Sequence, residues 1–319
     1  MRQPLTPDTL GPLLEAHGFA PRSFQRIATG KFNDSFFATL DDGREVVLRI
    51  APPDDAGFLF YERRMMAQEP TLHRLLREKT AIPVAEVLAY DDSRRLLDRD
   101  FLVLSRLPGT ALSDLSVTGD AVNRVLEQVG RHLRQLHDTC RADRYGYLGE
   151  HRPMQPQDTW AAAFRVMWDK LVGDIHACGA YDAAEARAVR SALDPHLAAF
   201  DRPVPSCLLH MDIWSQNILV DGEATVAGIV DWDRALWGDP EIEFAVLDYC
   251  GISEPAFWRG YGRERDTSPR ARIRHAFYTL YELQKYIVIR TLRSRRPADA
   301  LRYKAHALRL LDGLSTEGV

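Results

Sequence analysis

The chain predicts an α+β fold, with a small N-terminal antiparallel sheet followed by a larger, mostly helical region. Three observations carry that expectation. Between Phe24 and Leu104, short alternating apolar runs are divided by turn signals such as Asp42-Gly43. From Asp120 onward, apolar residues recur at helical spacing over long stretches. One hairpin pattern, residues 207–231, interrupts the helical part and carries His210, Asp212, Asn217 and Asp231. A length of 319 residues exceeds a typical single domain and suits two lobes sharing an interface. With 45% hydrophobic and 27% charged residues the composition is ordinary for a globular protein, and a net charge of −4 gives no global field toward nucleic acid or a membrane surface.

Taken in order, Thr6 to His17 reads as a short helix stopped by Gly18. Phe24 to Ala28 and Phe36 to Leu40 read as strands around the loop Thr29 to Ser35, and Glu45 to Ile50 alternates as a third strand after the Asp42-Gly43 turn. A helix opens at Glu69-Pro70, since proline is tolerated in a first helical turn. Val84 to Tyr90 and Phe101 to Leu104 complete the sheet, and Ser105 to Gly109 reads as a linker. Asp120 suits an N-cap for a helix with Val122, Val125, Leu126, Val129, Leu133 and Leu136 on one face. Thr159 to Ala177 carries an aromatic stripe through Trp160, Phe164 and Trp168 that reads as core. Ala183 to Phe200, Arg272 to Arg293 and Ala298 to Leu314 are further helices, and the basic residues from Arg290 to Lys304 read as a solvated face.

Cys140, Cys178, Cys207 and Cys250 are widely spaced with no C-x-x-C pair, which points to reduced thiols of a cytosolic protein rather than zinc or redox chemistry. Met1 to Ala20 lacks the apolar core of a signal peptide, and no apolar run is long enough to span a bilayer. Composition leaves the oligomeric state open.

The hairpin is where chemistry concentrates. Cys207-Leu208-Leu209 leads into His210, Ile218-Leu219-Val220 follows Asn217, Asp221-Gly222 is a turn signal, and Val226 to Val230 returns to Asp231. Asn217 and Asp231 lie nearly equidistant from the turn, so they should be cross-strand neighbours, with Cβ atoms roughly 5 Å apart. An amide oxygen and a carboxylate so placed suit a hard cation such as Mg²⁺. Asp212, close by and not needed as a ligand, is a natural acceptor for a hydroxyl proton. His210 is expected to be a buried structural histidine, with Asp233 and Asp239 as supporting groups rather than metal ligands.

The spacing His210-x-Asp212-x-x-x-x-Asn217 matches the kinase pattern, but Met211 and the triplet Asp231-Trp232-Asp233 point away from protein kinases. With Gly238-Asp239-Pro240-Glu241-Ile242-Glu243-Phe244-Ala245 following in order, the chain resembles the aminoglycoside phosphotransferase family. That resemblance implies a bilobal protein-kinase-like fold: residues 1–104 as a nucleotide-binding lobe, 105–109 as the linker, and 110–319 as the catalytic and substrate-binding lobe. It implies ATP and Mg²⁺ as cofactors, Asp212 as catalytic base, and Asn217 and Asp231 as metal ligands. Gly30 and Lys31 would cover the phosphates, and the linker around Ser105 and Leu107 would meet adenine. Arg49 stands where the family usually has Lys, with Glu69 its first-choice partner and Glu62 the competitor.

The implied acceptor is a hydroxyl of a small molecule, foremost an aminoglycoside or other antibiotic. Trp214-Ser215-x-Asn217 also resembles fructosamine kinases, and choline, homoserine or a sugar are further alternatives. Nine acidic residues between Ser206 and Cys250 face Arg234 alone, which suits a cationic acceptor, although Asp212 and Asp231 have other duties. Two alternatives of another class are a hydrolase using His210, Asp212, Asp231 and Asp233 as metal ligands, and a catalytically silent binding protein.

Overall fold

The structure, a computed structural model, describes residues 4–30, 32–54, 57–116, 119–149 and 154–316. Alternation builds its first sheet. Strands β1 (Pro21–Ile27), β2 (Asp34–Leu40) and β3 (Glu45–Ile50) follow helix α1 (Pro7–Glu15). After helix α2 (Glu69–Lys79) come β4 (Val87–Asp91) and β5 (Phe101–Ser105), and the antiparallel order is β1-β2-β3-β5-β4. Phe36, Ala38 and Leu40 of β2 and Val46, Leu48 and Ile50 of β3 share one buried face with Leu10, Leu13 and Leu14 of α1. Val47 and Arg49 therefore point to the opposite face, toward the rest of the chain.

The remainder runs β6 (Thr110–Ala111), α3 (Asp120–Thr139), β7 (Arg141–Ala142), α4 (Trp160–Ala177), α5 (Ala183–Ser191), β8 (Ser206–Leu209), β9 (Ile218–Val220), β10 (Val226–Ile229), β11 (Leu236–Gly238), α6 (Pro240–Tyr249), α7 (Pro255–Tyr261), α8 (Pro269–Val288) and α9 (Pro297–Thr316). Two small sheets, β10-β9-β6 and β11-β8-β7, hold the hairpin against the helices. The aromatic stripe of α4 is core, as its spacing suggests. Phe164 stacks on Phe200 at 4.9 Å, and the Trp160 indole N–H donates to the Tyr278 hydroxyl at 2.6 Å. Helices α3 and α7 touch backbone to backbone: a Cβ on Gly260 would stand 1.9 Å from the Glu127 carbonyl oxygen, and one on Gly130 2.2 Å from that of Phe257. No helix among the described residues is long and apolar enough to cross a membrane.

Several elements depart from the sequence expectation, each for a local reason. The helix expected over Ala183 to Phe200 ends at Ser191 and resumes as a 3₁₀ turn over Asp194–Ala199, because Pro195 has no N–H to continue the ladder. Strand β4 begins at Val87 rather than Val84. The backbone before it is occupied by side chains, with His73 on the Ala85 carbonyl and the Ser105 hydroxyl on the Glu86 N–H. Asp120 lies inside the first turn of α3, and Gly119 at φ 59° takes the N-cap position. Helix α7, seven residues long, gives no periodic signal. Helix α8 ends not in a plain α turn at Arg293 but in a π-helical turn over Ile289–Arg293.

Candidate active site

The sheet meets the helical region at Arg49. Its Nη1 donates to Glu69 Oε2 at 2.6 Å, and its Nη2 reaches Asp231 Oδ1 at 2.6 Å and Asp233 Oδ2 at 3.2 Å. One guanidinium fork thus joins β3, the first turn of α2 and the segment after β10. Glu69 is fully buried. Burial pushes its carboxyl up, but Arg49, then His73 one turn along, more than offset this and hold it below the usual range. Glu62, the competing partner, is engaged elsewhere: it accepts from the Leu59 N–H at 2.9 Å and from Arg293 at 2.8 Å.

The hairpin delivers the polar residues to the same place. The Val230 N–H donates to the Asn217 carbonyl at 3.0 Å, so Asp231 lies one residue beyond Asn217's partner. A bulge between Val226 and Gly228 sets that offset. Asp231 adopts left-handed backbone, φ 72°, and its side chain is 35% exposed. The Asn217 amide N–H₂ donates to the Asp212 carbonyl at 2.8 Å, which turns the amide oxygen away from that bond. Asp212 Oδ1 accepts from Arg234 Nη1 at 3.0 Å. Arg234 belongs to the short 3₁₀ turn Trp232–Arg234 that follows Asp231.

His210 is structural, as its setting requires. Its Nε2 donates to the Val230 carbonyl at 3.0 Å, its Nδ1 accepts the Asp212 N–H at 3.2 Å, and its ring lies 4.4 Å from Trp232. Burial lowers its pKa and keeps it neutral. With both nitrogens engaged it is no metal ligand, which removes the four-ligand hydrolase arrangement. Among the described residues, no three His, Cys, Asp or Glu side chains form a metal cluster. Glu243 pins the loop from beneath, accepting the His210 N–H at 2.7 Å and the Met211 N–H at 2.8 Å while its other oxygen meets His137 at 2.7 Å. Asp239 caps α6 through the Glu241 N–H and pairs with Arg202 at 2.6 Å.

The loop after β1 folds over this cluster. Asn33 donates to Asp233 at 3.1 Å, and Arg293 sits over the Phe32 ring at 5.0 Å. A Cβ on Gly30 would lie 3.1 Å from the Asn33 carbonyl oxygen, so the turn is tight there; Lys31 lies outside the described residues. Ser105 gives its N–H to the Glu86 carbonyl and accepts the Glu86 N–H on its hydroxyl, so its donor and side chain are taken up within the sheet. Leu107 makes no backbone hydrogen bond among the described residues. Its side chain packs on Gly228, where a Cβ would stand 2.8 Å from Leu107 Cδ1 and 3.1 Å from Leu219 Cδ1. Val47, Leu107, Leu219 and Val230 are each half-buried around this cleft.

The model of the phosphotransferase enzyme family matches residues 23–312. The chain belongs to that family. Among its relatives, the phosphotransferase is 27% identical to a probable ketoamine kinase of Vibrio parahaemolyticus over 269 residues, 81% of this chain and 83% of the relative. It is 27% identical to a hygromycin-B 4-O-kinase of Escherichia coli over 239 residues, 72% and 65% of the two chains. A viomycin phosphotransferase of Streptomyces vinaceus is 30% identical over 154 residues, 46% and 49%. Its fold is that of the aminoglycoside phosphotransferase APH(4)-Ia, in a ternary complex with AMP-PNP and hygromycin B, at a TM-score of 0.71, 20% identity and 97% and 99% coverage. A putative fructosamine-3-kinase from Haemophilus somnus superposes at 0.69, with 16% identity and 95% and 97% coverage. The bilobal kinase-like architecture and the small-molecule kinase class follow for this phosphotransferase.

Of the residues expected at the site, the phosphotransferase brings Arg49, Glu69, Asp212, Asn217 and Asp231 together. Sequence reading missed Arg234 and Arg293 as partners of this cluster. Arg234 carries a signal, being the lone cation of the acidic segment. Arg293 carries none, since its partner Glu62 lies 231 positions away.

Proposed function

We propose that this phosphotransferase moves the γ-phosphoryl group of ATP to a hydroxyl of a small, polyhydroxylated molecule, with Mg²⁺ bound at Asn217 and Asp231. The observation that carries this reading is the single cleft in which Arg49 bridges Glu69 and Asp231 while Asp212 stands beside Asn217. Residues 1–104 form the nucleotide lobe in this reading, 105–109 the linker, and 110–319 the catalytic lobe.

The residues fit the ion. Asp231 keeps an oxygen not taken by Arg49, and the Asn217 amide oxygen is turned away from Asp212. These are two hard oxygen donors, leaving room for phosphate and water oxygens, as Mg²⁺ prefers. Bound Mg²⁺ supplies charge neutralisation on the phosphates. Arg49 orients the α/β-phosphates, and Leu107 offers free backbone groups to adenine. The Asp212 carboxylate accepts the acceptor's hydroxyl proton as the new P–O bond forms and the bond to the β-phosphate oxygen breaks, giving ADP and a phosphomonoester. Arg234 holds Asp212 in place for that transfer.

The names of the relatives support a sugar-like acceptor, a class that takes in aminoglycosides and ketoamines. The free thiols suit a reducing, cytoplasmic setting. The test is the melting temperature with ATP, with and without Mg²⁺, for wild type and Asp231→Asn. A Mg²⁺-dependent rise in wild type that is lost in the variant supports the reading. No shift with nucleotide in wild type contradicts it.

A further inference from the structure

The two ring nitrogens of His73 meet opposite demands. His73 lies one turn after Glu69 on α2, and both side chains are buried. Its Nδ1 lies 2.8 Å from the Ala85 carbonyl oxygen, which only accepts, so Nδ1 carries a proton in either charge state of the ring. Its Nε2 points to Glu69 Oε2 at 3.4 Å and makes no hydrogen bond among the described residues. A neutral ring with its proton on Nδ1 turns a bare lone pair toward that carboxylate, which is repulsive. A ring with both protons turns an N–H toward it.

The surrounding charge favours the second arrangement. Arg49 alone faces three carboxylates, Glu69 and Asp231 at 2.6 Å and Asp233 at 3.2 Å. One oxygen of Glu69 meets both Arg49 and His73, while its Oε1 is buried with no hydrogen-bond partner among the described residues. Burial opposes the charge of Glu69, and Arg49 and then His73 outweigh it, so the carboxylate is kept. Burial, then Asp231, pushes the Asp233 carboxyl up, as expected of a cluster with negative charge in excess. The other ionisable groups nearby are engaged elsewhere. Arg77 of α2 turns to the Val84 carbonyl and to Glu86, while Arg74, Glu78 and Lys79 are exposed. Tyr90 and Asp91 of β4 meet Asp100 and His17, and Arg234 of the 3₁₀ turn meets Asp212. Among the described residues Glu69 is the one carboxylate at ion-pair distance from His73.

Resting on the phosphoryl-transfer reading above, we propose that His73 is a positioning residue for nucleotide binding, acting on Arg49 through Glu69 with its ring doubly protonated. Arg49 Nη1 is committed to Glu69 and Nη2 to Asp231. A carboxylate that draws on two cations holds each less tightly, which leaves more of the Arg49 charge for the phosphates of ATP. A second positive charge beside the site also favours an anionic ligand. Loss of the Nε2 proton reverses both effects and sets a lone pair against Glu69. Affinity for Mg²⁺-ATP is therefore higher while His73 carries its second proton, and falls as pH rises through its titration.

The test is the Mg²⁺-ATP affinity of wild type, His73→Asn and His73→Gln, measured by titration from about pH 5.5 to about pH 8.5. Asn sets its amide nitrogen where Nδ1 stands, which keeps the donor to Ala85 and leaves nothing facing Glu69. Gln reaches the position of Nε2 and sets an uncharged N–H before Glu69. The nucleotide's own titration is common to all three proteins, so the ratio of affinities isolates His73. Expected at the acid end is a loss of about threefold or more in His73→Asn and a smaller loss in His73→Gln. The ratio of wild type to either variant should then fall toward the alkaline end. Wild-type affinity in His73→Asn with a loss in His73→Gln would assign His73 to the Ala85 bond alone and overturn the proposal, as would a ratio that does not change with pH. Nitrogen NMR of the wild-type imidazole rings reads the same state without a substitution. Protons on both His73 nitrogens at the acid end support the proposal, and a ring protonated on Nδ1 alone across the whole range overturns it. No binding of Mg²⁺-ATP by wild type at any pH overturns the phosphoryl-transfer reading, and the role of His73 with it.

Discussion

Arg49 and Glu69 form a buried ion pair, Nη1 to Oε2 at 2.6 Å, in which the same guanidinium also holds Asp231 at 2.6 Å. The pair ties β3 to α2 and to the segment after the hairpin. A single ammonium has no fork with which to meet these carboxylates together. Arg49→Lys is therefore expected to fold and to raise the KM for ATP about tenfold or more. Arg49→Met leaves the buried Glu69 with His73 alone beside it, at a cost of about 3 kcal/mol. Nucleotide titration and chemical unfolding of both variants check this, and an Arg49→Met protein as stable as wild type would refute the pairing.

In the proposed reaction Arg234 acts through Asp212. Its guanidinium bonds Asp212 at 3.0 Å and approaches Glu62 at 3.9 Å, which Arg293 holds from the other side. Arg234→Gln should lower kcat by about 10²-fold, as small misplacements of a reacting group do, while leaving ATP affinity unchanged. Steady-state kinetics separates the two parameters. A change confined to KM for ATP would place Arg234 on the nucleotide instead.

The contact of α3 with α7 needs glycine on both sides. Gly260→Ala would drive its Cβ to 1.9 Å from the Glu127 carbonyl, a backbone atom that cannot rotate away. The expected loss is about 3 kcal/mol or more, read from urea unfolding. Loss below about 0.5 kcal/mol would mean the helices separate freely.

Asp174 makes stability depend on pH. Burial raises its carboxyl to about 6, although the Phe60 N–H donates to it at 2.7 Å and opposes the shift. A folded-state value above the unfolded one favours the folded state fully below the unfolded value near 4, and that contribution is lost as pH rises through about 6. Asp174→Asn keeps an acceptor for Phe60 and removes the titration. The melting temperature of wild type relative to this variant should fall between pH 5 and pH 7. A constant difference across that window would contradict the assignment.

Much of the site was legible because its geometry follows from short-range rules. Strand parity places Arg49 opposite Leu48 and Ile50, and the turn signal announces the hairpin, although its five-residue loop, Asp221–Thr225, and the bulge after Val226 are what bring Asn217 near Asp231. Pro70 fixes Glu69 in a first helical turn. What was not legible depends on distant or non-periodic features. Arg293 reaches Glu62 through a π-helical turn that no periodicity announces. Helix α7 is too short to show a period, and its role lies in Gly260's approach to another helix. Ser105 looks available in a linker, yet Glu86 takes its N–H and hydroxyl, a competition set by the late start of β4. The acidic run from Asp212 to Asp248 suggested a cationic acceptor because its arginine partners Arg202, Arg265 and Arg274 lie outside it in sequence.

The central claim is that Asp212 accepts the acceptor's proton in a site that binds nucleotide without it. The direct measurement is acceptor-dependent ADP formation by wild type and Asp212→Asn, with Mg²⁺-ATP affinity determined on the same samples. The account predicts that turnover falls by about 10²–10⁴-fold in the variant while ATP affinity stays within a few-fold of wild type. Turnover retained in Asp212→Asn, or lost together with nucleotide binding, would contradict it.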